Sequence, residues 1–293
     1  MFSFCTDPAS LADTAWLACY LTTAKHMSFY GSFGTVLFLL AVTAPVALAF
    51  GFAGAAASRS LIPPVRWVGQ IYTAMVRGIP DIVFFLFVPI ALDQGFEWLR
   101  HQWKCPDWDL PIRQGNDFVV CDMAKLPLSS APQAYHEIYG FLLAVLAFAI
   151  VFGAFVANVL RGAMDAVPRA QIETAEAFGM TERQAFWQIL VPQMWIYALP
   201  GLSNIWQILI KSTPLLFLLG VEDIVYWARE LGGAKTSMFT YPHPDWRLYY
   251  FLALLFFYLG LTALSERIFA RLTRRLSFGQ ATAAGEAQRK AAQ

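Results

Sequence analysis

Charge is scarce in this chain of 293 residues. Only 14% of it is charged and 58% is hydrophobic, where soluble domains carry nearer 25% charge. That shortage argues against a water-soluble globule. The net charge is +1, and no patch of Lys and Arg gathers on one face, which excludes the basic footprint of a nucleic-acid binder. Met1–Ser10 has no positive region ahead of an apolar one, so no signal peptide is read there. A phosphate loop of the form G-x-x-x-x-G-K-[ST] is missing, so the chain does not itself cradle nucleotide phosphates. Its four histidines, His26, His101, His136 and His243, are scattered without ligand spacing, and no metal site is expected. The long apolar runs hold no His and few carboxylates. A membrane enzyme would need a nucleophile–base pair or metal ligands at that depth. No internal repeat or low-complexity array is present.

What the chain has instead is length of apolar sequence. A spanning helix needs about 20 apolar residues, and five runs qualify: Phe29–Ala57, Val65–Leu92, Ile138–Leu160, Met194–Leu219 and Leu248–Phe269. Trp16–Leu21 is too short to span. The expected fold is all-α and integral to the membrane, with about five transmembrane helices. Residues 1–28 form an N-terminal outer segment, 29–276 the transmembrane domain, and 277–293 a small, polar tail expected to be disordered. The first span is expected to act as an uncleaved signal-anchor.

Orientation follows from Lys and Arg near the span ends. Arg59 and Arg66, then Arg161, Arg169 and Arg183, then Arg267, Arg271, Arg274 and Arg275 occupy three regions that share one side, the cytoplasm. The N-terminus then faces out and the C-terminus in. The connection 93–137 faces out and carries Cys105 and Cys121. In an oxidising compartment these two can form a disulfide; two free thiols are the other reading.

The segment 167–192 contains ETAEAFGMTERQAFWQILVP. Val167-Pro168 breaks the chain and opens a short helix. Gly179 interrupts it, and Thr181 restarts it as an N-cap. Ala185, Phe186, Ile189 and Leu190 give the second piece one apolar face, and Pro192 is expected to end it. Two short helices with a bend make a rigid knob suited to docking in a cleft.

Glu173, Ala175, Gly179, Ile189 and Pro192 meet the pattern Glu-x-Ala, three residues, Gly, nine residues, Ile-x-x-Pro. This resembles the EAA loop of permease subunits of binding-protein-dependent ABC importers, with Thr174 in place of an Ala and Val191 in place of a Leu. Arg77-Gly78-Ile79-Pro80 is similar to an element of the polar amino-acid branch. So are Arg161-Gly162, Ala198-Leu199-Pro200-Gly201, Asn204, Trp206-Gln207, Lys211-Ser212-Thr213 and Gly220-Val221-Glu222-Asp223. The likeness runs from about Gly31 to Leu276 and is nearest to the basic amino-acid and opine permeases, since Asp81 follows Pro80. It implies the type I ABC importer permease fold, with 167–192 as a cytoplasmic coupling helix seated in an ATPase. The implied partners are an ATPase dimer carrying ATP and Mg, a second permease that is identical or a sibling, a periplasmic solute-binding protein and membrane lipid. This chain would hold no cofactor of its own and would sit in a bacterial inner membrane. Two departures stand out. The connection 93–137 is longer than the family's, and Asn158 occupies a position where those permeases commonly have Glu, a charge suited to a cationic ligand.

Glu173 is the first candidate for the ATPase contact; a solvated acid at a helix start is the bland alternative. Arg77 lies inside the second run, where a charge costs about 2.5–3.5 kcal/mol. It is expected to face the protein interior with Asp81 as partner, either as a structural pair or on a substrate path. Gly78 and Pro80 would kink the span, and a kinked helix either lines a cavity or only bends. Asn204, Gln207 and Lys211 share one helical face. That face lines the path together with Asn158, or serves as hydrogen-bonding glue between helices, and Lys211 alternatively snorkels to the interface. Trp67, Tyr72, Tyr226, Trp227, Tyr249, Tyr250 and Tyr258 read as interface anchors. The expected function is import of a polar amino acid, basic or an opine, driven by ATP hydrolysed in a partner. Import of another small polar solute and an ATP-independent channel are the alternatives.

Overall fold

The computed structural model describes residues 5, 11–75, 80–115, 117–219 and 221–277. Ten helices dominate them: α1 (Asp13–Leu21), α2 (Ala24–Ser58), α3 (Pro63–Met75), α4 (Asp81–Lys104), α5 (Gln133–Ala166), α6 (Arg169–Ala177), α7 (Glu182–Ala185), α8 (Val191–Ser212), α9 (Ile224–Gly232) and α10 (Arg247–Leu276). A π-helical turn, Phe186–Leu190, joins α7 to α8, and a 3-10 turn, Thr213–Leu219, follows α8. Strands β1 (Arg113–Gln114) and β2 (Asp117–Phe118) make one small antiparallel hairpin. Among the described residues, four helical stretches are long and apolar enough to cross a membrane: Ala24–Ser58, Ile82–Lys104, Gln133–Ala166 and Arg247–Leu276.

Three of the five expected runs fall within α2, α5 and α10. The run Val65–Leu92 is described in two pieces, α3 to Met75 and α4 from Asp81, with Pro80 outside any helix and residues 76–79 outside the described residues. Pro80 directly precedes α4 instead of kinking a helix interior. Its missing N–H is tolerated at a helix start, where no intrahelical acceptor would be used. Helix α4 then runs on to Lys104, so the non-helical part of the 93–137 connection is 105–132. The run Met194–Leu219 is also divided, into α8 and the 3-10 turn. Pro200, Asn204, Gln207 and Lys211 break up the apolar character of α8, which is why it falls outside the four stretches. Arg77 and Gly78, the side chain of Asp81 and the tail after Ser277 lie outside the described residues, and the expected Arg77–Asp81 pairing with them.

The chain divides into two units. The first comprises residues 1–42, 86–145 and 211–259; the second comprises 43–85, 146–210 and 260–293. The second unit is built on α5, whose Ala147, Phe148, Val151, Phe152 and Ala154 are buried. Phe85 stacks on Phe148 at 4.6 Å and on Phe152 at 5.7 Å. Backbones approach closely here. A Cβ on Gly153 would lie 2.5 Å from the Tyr72 hydroxyl and 2.6 Å from Phe50 Cβ. The Tyr72 hydroxyl donates to the Ile150 carbonyl at 2.7 Å, tying α3 to α5. Small residues at helix contacts are the usual route to tight packing between membrane helices, since lipid offers no hydrophobic drive.

The first unit holds two disulfides, Cys105–Cys121 and Cys5–Cys19. Cys19 lies on α1, which packs Trp16 and Tyr20 against Tyr241, His243 and Trp246. The Tyr20 hydroxyl lies 2.8 Å from His243 Nε2 and donates to the Leu231 carbonyl at 3.0 Å. Burial raises the Tyr20 pKa, which keeps the phenol protonated and able to donate. Beside the Cys105–Cys121 disulfide, His101 Nδ1 accepts from the Cys121 amide at 3.1 Å.

Candidate functional site

Residues 167–192 form the expected two-helix knob. Helix α6 ends in a complete Schellman closure: the Gly179 amide donates to the Glu176 carbonyl at 2.9 Å and the Met180 amide to the Ala175 carbonyl at 3.1 Å. Gly179 sits at φ +86°, a conformation open to glycine and costly for a residue with a Cβ. Thr181 then caps α7 reciprocally. Its side chain accepts from the Gln184 amide at 3.3 Å, while its own amide donates to Gln184 Oε1 at 2.9 Å. Both helix ends are thereby satisfied within a few residues, which holds the bend rigid.

One expectation about the knob needs correction. Pro192 does not end the second piece, because α7 passes through the π turn directly into α8. A proline ring clashes with the carbonyl four residues back in a regular helix. The wider π turn immediately ahead of Val191 is where that clash is relieved.

Glu173 is exposed on α6, and Ala175 is buried beneath it. Ile189 is half-buried and Pro192 exposed. Trp187 stacks on Phe52 of α2 at 5.7 Å, and Phe186 meets the same ring at 6.4 Å, so the base of the knob is anchored to α2. Arg59 and Asp165 also pair across this region. The feature the sequence reading did not single out is Phe178. It is 85% exposed, next to Gly179 at the bend. Its only prior signal was an aromatic directly before the turn glycine of a polar loop. A large apolar ring held in water on a rigid bend is what a docking surface presents to a cleft.

The described residues expected on a substrate path are placed as follows. Asn158 donates its side-chain amide to the Thr73 carbonyl at 2.7 Å and to the Ala154 carbonyl at 3.1 Å. Gln207 donates to Glu266 Oε1 of α10 at 3.2 Å. Asn204 and Lys211 are exposed on α8. The helix-to-helix reading therefore describes Asn158 and Gln207. Asp223 caps α9: its Oδ1 accepts from the Val225 amide at 3.1 Å and the Tyr226 amide at 2.8 Å. Asp223 is fully buried, its Oδ2 has no partner, and burial pushes its pKa up to about 6.

A family model described as binding-protein-dependent transport system inner membrane component matches residues 47–278. The chain is 30% identical over 258 residues to the histidine/lysine/arginine/ornithine transport system permease protein HisQ of Salmonella typhimurium, covering 85% of this chain and 96% of that protein. It is 28% identical over 213 residues to the arginine ABC transporter permease protein ArtQ of Escherichia coli, covering 72% and 79%. It is 31% identical over 197 residues to the octopine transport system permease protein OccQ of Rhizobium radiobacter, covering 67% and 71%. A crystal structure of an amino acid ABC transporter with histidines superposes with a TM-score of 0.59 at 20% identity, covering 90% of this chain and 99% of that one. At that identity the superposition speaks for the fold.

Proposed function

The chain belongs to the family of binding-protein-dependent transport system inner membrane components, and from that premise we propose that it is the membrane-spanning subunit of an ABC importer for a polar amino acid. The knob 167–192 is the observation that carries the coupling. It is rigid at both helix ends, anchored to α2 by Phe52, and presents Glu173 and Phe178 to solvent. In this reading the knob faces the cytoplasm and seats in a groove of an ATPase dimer. ATP and Mg are bound by that partner, and closure of the dimer moves α8 through the unbroken α7–π–α8 connection.

The other partners are a second permease, identical or a sibling, and a solute-binding protein on the opposite face. The membrane is bacterial and inner, with the N-terminus outside and the C-terminus in the cytoplasm. The substrate class is a basic amino acid or an opine, because HisQ, ArtQ and OccQ bear those names. Asn158 does not supply the charge for such a substrate, since its amide is committed to backbone carbonyls. Reconstitution of the permease, its ATPase and its binding protein in proteoliposomes tests the proposal. Uptake of labelled arginine that requires ATP is expected. Uptake of no amino acid, or uptake that persists without ATP, overturns it.

A further inference from the structure

At the end of α4, His101 and Cys105 are four residues apart. The Cys105 amide donates to the His101 carbonyl at 3.0 Å, which carries the helical turn through to the cysteine. Residues at that spacing lie on one helix face. Cys121 reaches the same place from the other end of a disulfide-closed loop. A ring nitrogen of His101 and the sulfurs of Cys105 and Cys121 all lie within 4.8 Å of one another. The group is enclosed: His101 is 3% exposed and Cys121 7%, and Cys105 is half-buried. His101 Nδ1 accepts from the Cys121 amide at 3.1 Å, so this nitrogen carries a lone pair and points at the cysteine. Trp108 meets the His101 ring edge-on at 5.5 Å and packs against the buried cluster that holds Cys121. Its indole N–H is buried without an acceptor. Linear spacing offers no ligand set among these residues; the fold assembles one.

We infer that His101, Cys105 and Cys121 form a zinc site that takes the place of the Cys105–Cys121 disulfide when the pair is reduced. The reductant is a dithiol of the thioredoxin class. One of its thiolates attacks the S–S bond, a mixed disulfide forms, and one cysteine leaves as a thiolate. The reductant's second thiol then displaces the other cysteine. Two electrons and two protons have passed, the reductant ends as a disulfide, and both cysteines are thiols. Zinc(II) binds both sulfurs as thiolates and releases two protons. His101 Nδ1 gives the metal the lone pair that the Cys121 amide holds in the oxidised form. Thiolate with imidazole suits zinc and not the hard cations magnesium and calcium. Ligand atoms around tetrahedral zinc stand about 3.5 Å apart, so the three groups already lie at the range of a shared metal. Three protein ligands leave the fourth position to water. The buried Trp108 N–H is stranded beside a neutral disulfide, and charged sulfurs are stronger acceptors for such a donor. The loop is then closed in both redox states, by a covalent bond when oxidised and by zinc when reduced. This site is independent of which solute is transported.

Zinc binding by the purified full-length chain tests the inference. Protein as isolated, and protein reduced and then freed of reductant under argon, are each equilibrated with zinc(II), desalted and assayed for metal. The double variant Cys5→Ser with Cys19→Ser is assayed beside wild type, to remove the other pair of thiols. One zinc per chain is expected in the reduced double variant and in reduced wild type, and none in either protein before reduction. X-ray absorption at the zinc edge is expected to show two sulfur ligands and one imidazole nitrogen. His101→Gln keeps a side-chain acceptor for the Cys121 amide, and its unfolding midpoint in the oxidised form checks that it folds. It is expected to weaken zinc at least about tenfold, since losing even a supporting group costs that much. Tryptic cleavage after Arg113 and Lys125 of the reduced chain is expected to slow when zinc is added. No zinc on the reduced chain overturns the inference, as does equal zinc on the oxidised chain. So does loss of zinc in the double variant, a metal shell without imidazole, or an unchanged affinity in folded His101→Gln.

Discussion

Asn158 on α5 donates to the backbone carbonyl of Thr73 on α3, 2.7 Å away. A side chain read from sequence as lining a path bonds to the backbone of a neighbouring helix.

Asn158→Ala removes that hydrogen bond. A loss of about 1–2 kcal/mol is expected, seen as a lower unfolding midpoint of the purified complex. The ratio of arginine to citrulline affinity is expected to stay unchanged. A stable variant with altered selectivity would return Asn158 to the substrate path.

Asp223 predicts a pH dependence. Its folded pKa, near 6, lies above the ordinary 3.8 because burial disfavours the charge. The native state therefore binds the proton more tightly than the unfolded chain does. The stability this gives is complete below about 3.8 and is lost as pH rises through about 6. Asp223→Asn keeps the N-cap of α9, since Asn and Asp cap equally well, and has no charge to bury. Between pH 4 and 6 the wild type is expected to lose on the order of 2–3 kcal/mol relative to the variant. Unfolding midpoints measured across that range check it; parallel curves for the two proteins would refute it.

Much of the fold was legible because long apolar runs and two-residue punctuation such as Val167-Pro168 are strong local signals. The knob is the best case. Gly179 and Thr181 act on their immediate neighbours, so their roles follow from a dozen residues of sequence. Helix partition was less legible. Val65–Leu92 reads as one span because hydropathy averages over Pro80, which stands outside the helix that follows it, and α8 reads as more apolar than it is when Asn204 and Gln207 are treated as a minor interruption. The pairing of Cys5 with Cys19 and the meeting of Tyr20 with His243 depend on how separate segments fold together, which no local pattern reports. Tyr250, read as an interface anchor, lies with its hydroxyl 2.6 Å from His26 Nε2; a sequence separation of 224 hid that pair.

The disulfides make a chemical prediction. Cys5–Cys19 and Cys105–Cys121 close loops of sequence separation 14 and 16. Alkylation without reductant followed by mass spectrometry is expected to label none of the four cysteines. Double replacement Cys105→Ser with Cys121→Ser is expected to lower stability by about 3 kcal/mol, the amount typical of a loop this long. Labelled thiols in the untreated protein would contradict the pairing.

The central claim is that the knob 167–192 grips an ATPase, and co-purification of that ATPase with the full-length chain tests it most directly. Glu173→Lys reverses a charge on the exposed face of α6, and Phe178→Ala removes the ring at the bend. Both positions are exposed, so the unfolding midpoint is expected to stay within a few degrees of wild type. The account predicts that the ATPase co-purifies with wild type and is lost or reduced at least tenfold in each variant. Full retention of the ATPase by both variants would contradict it.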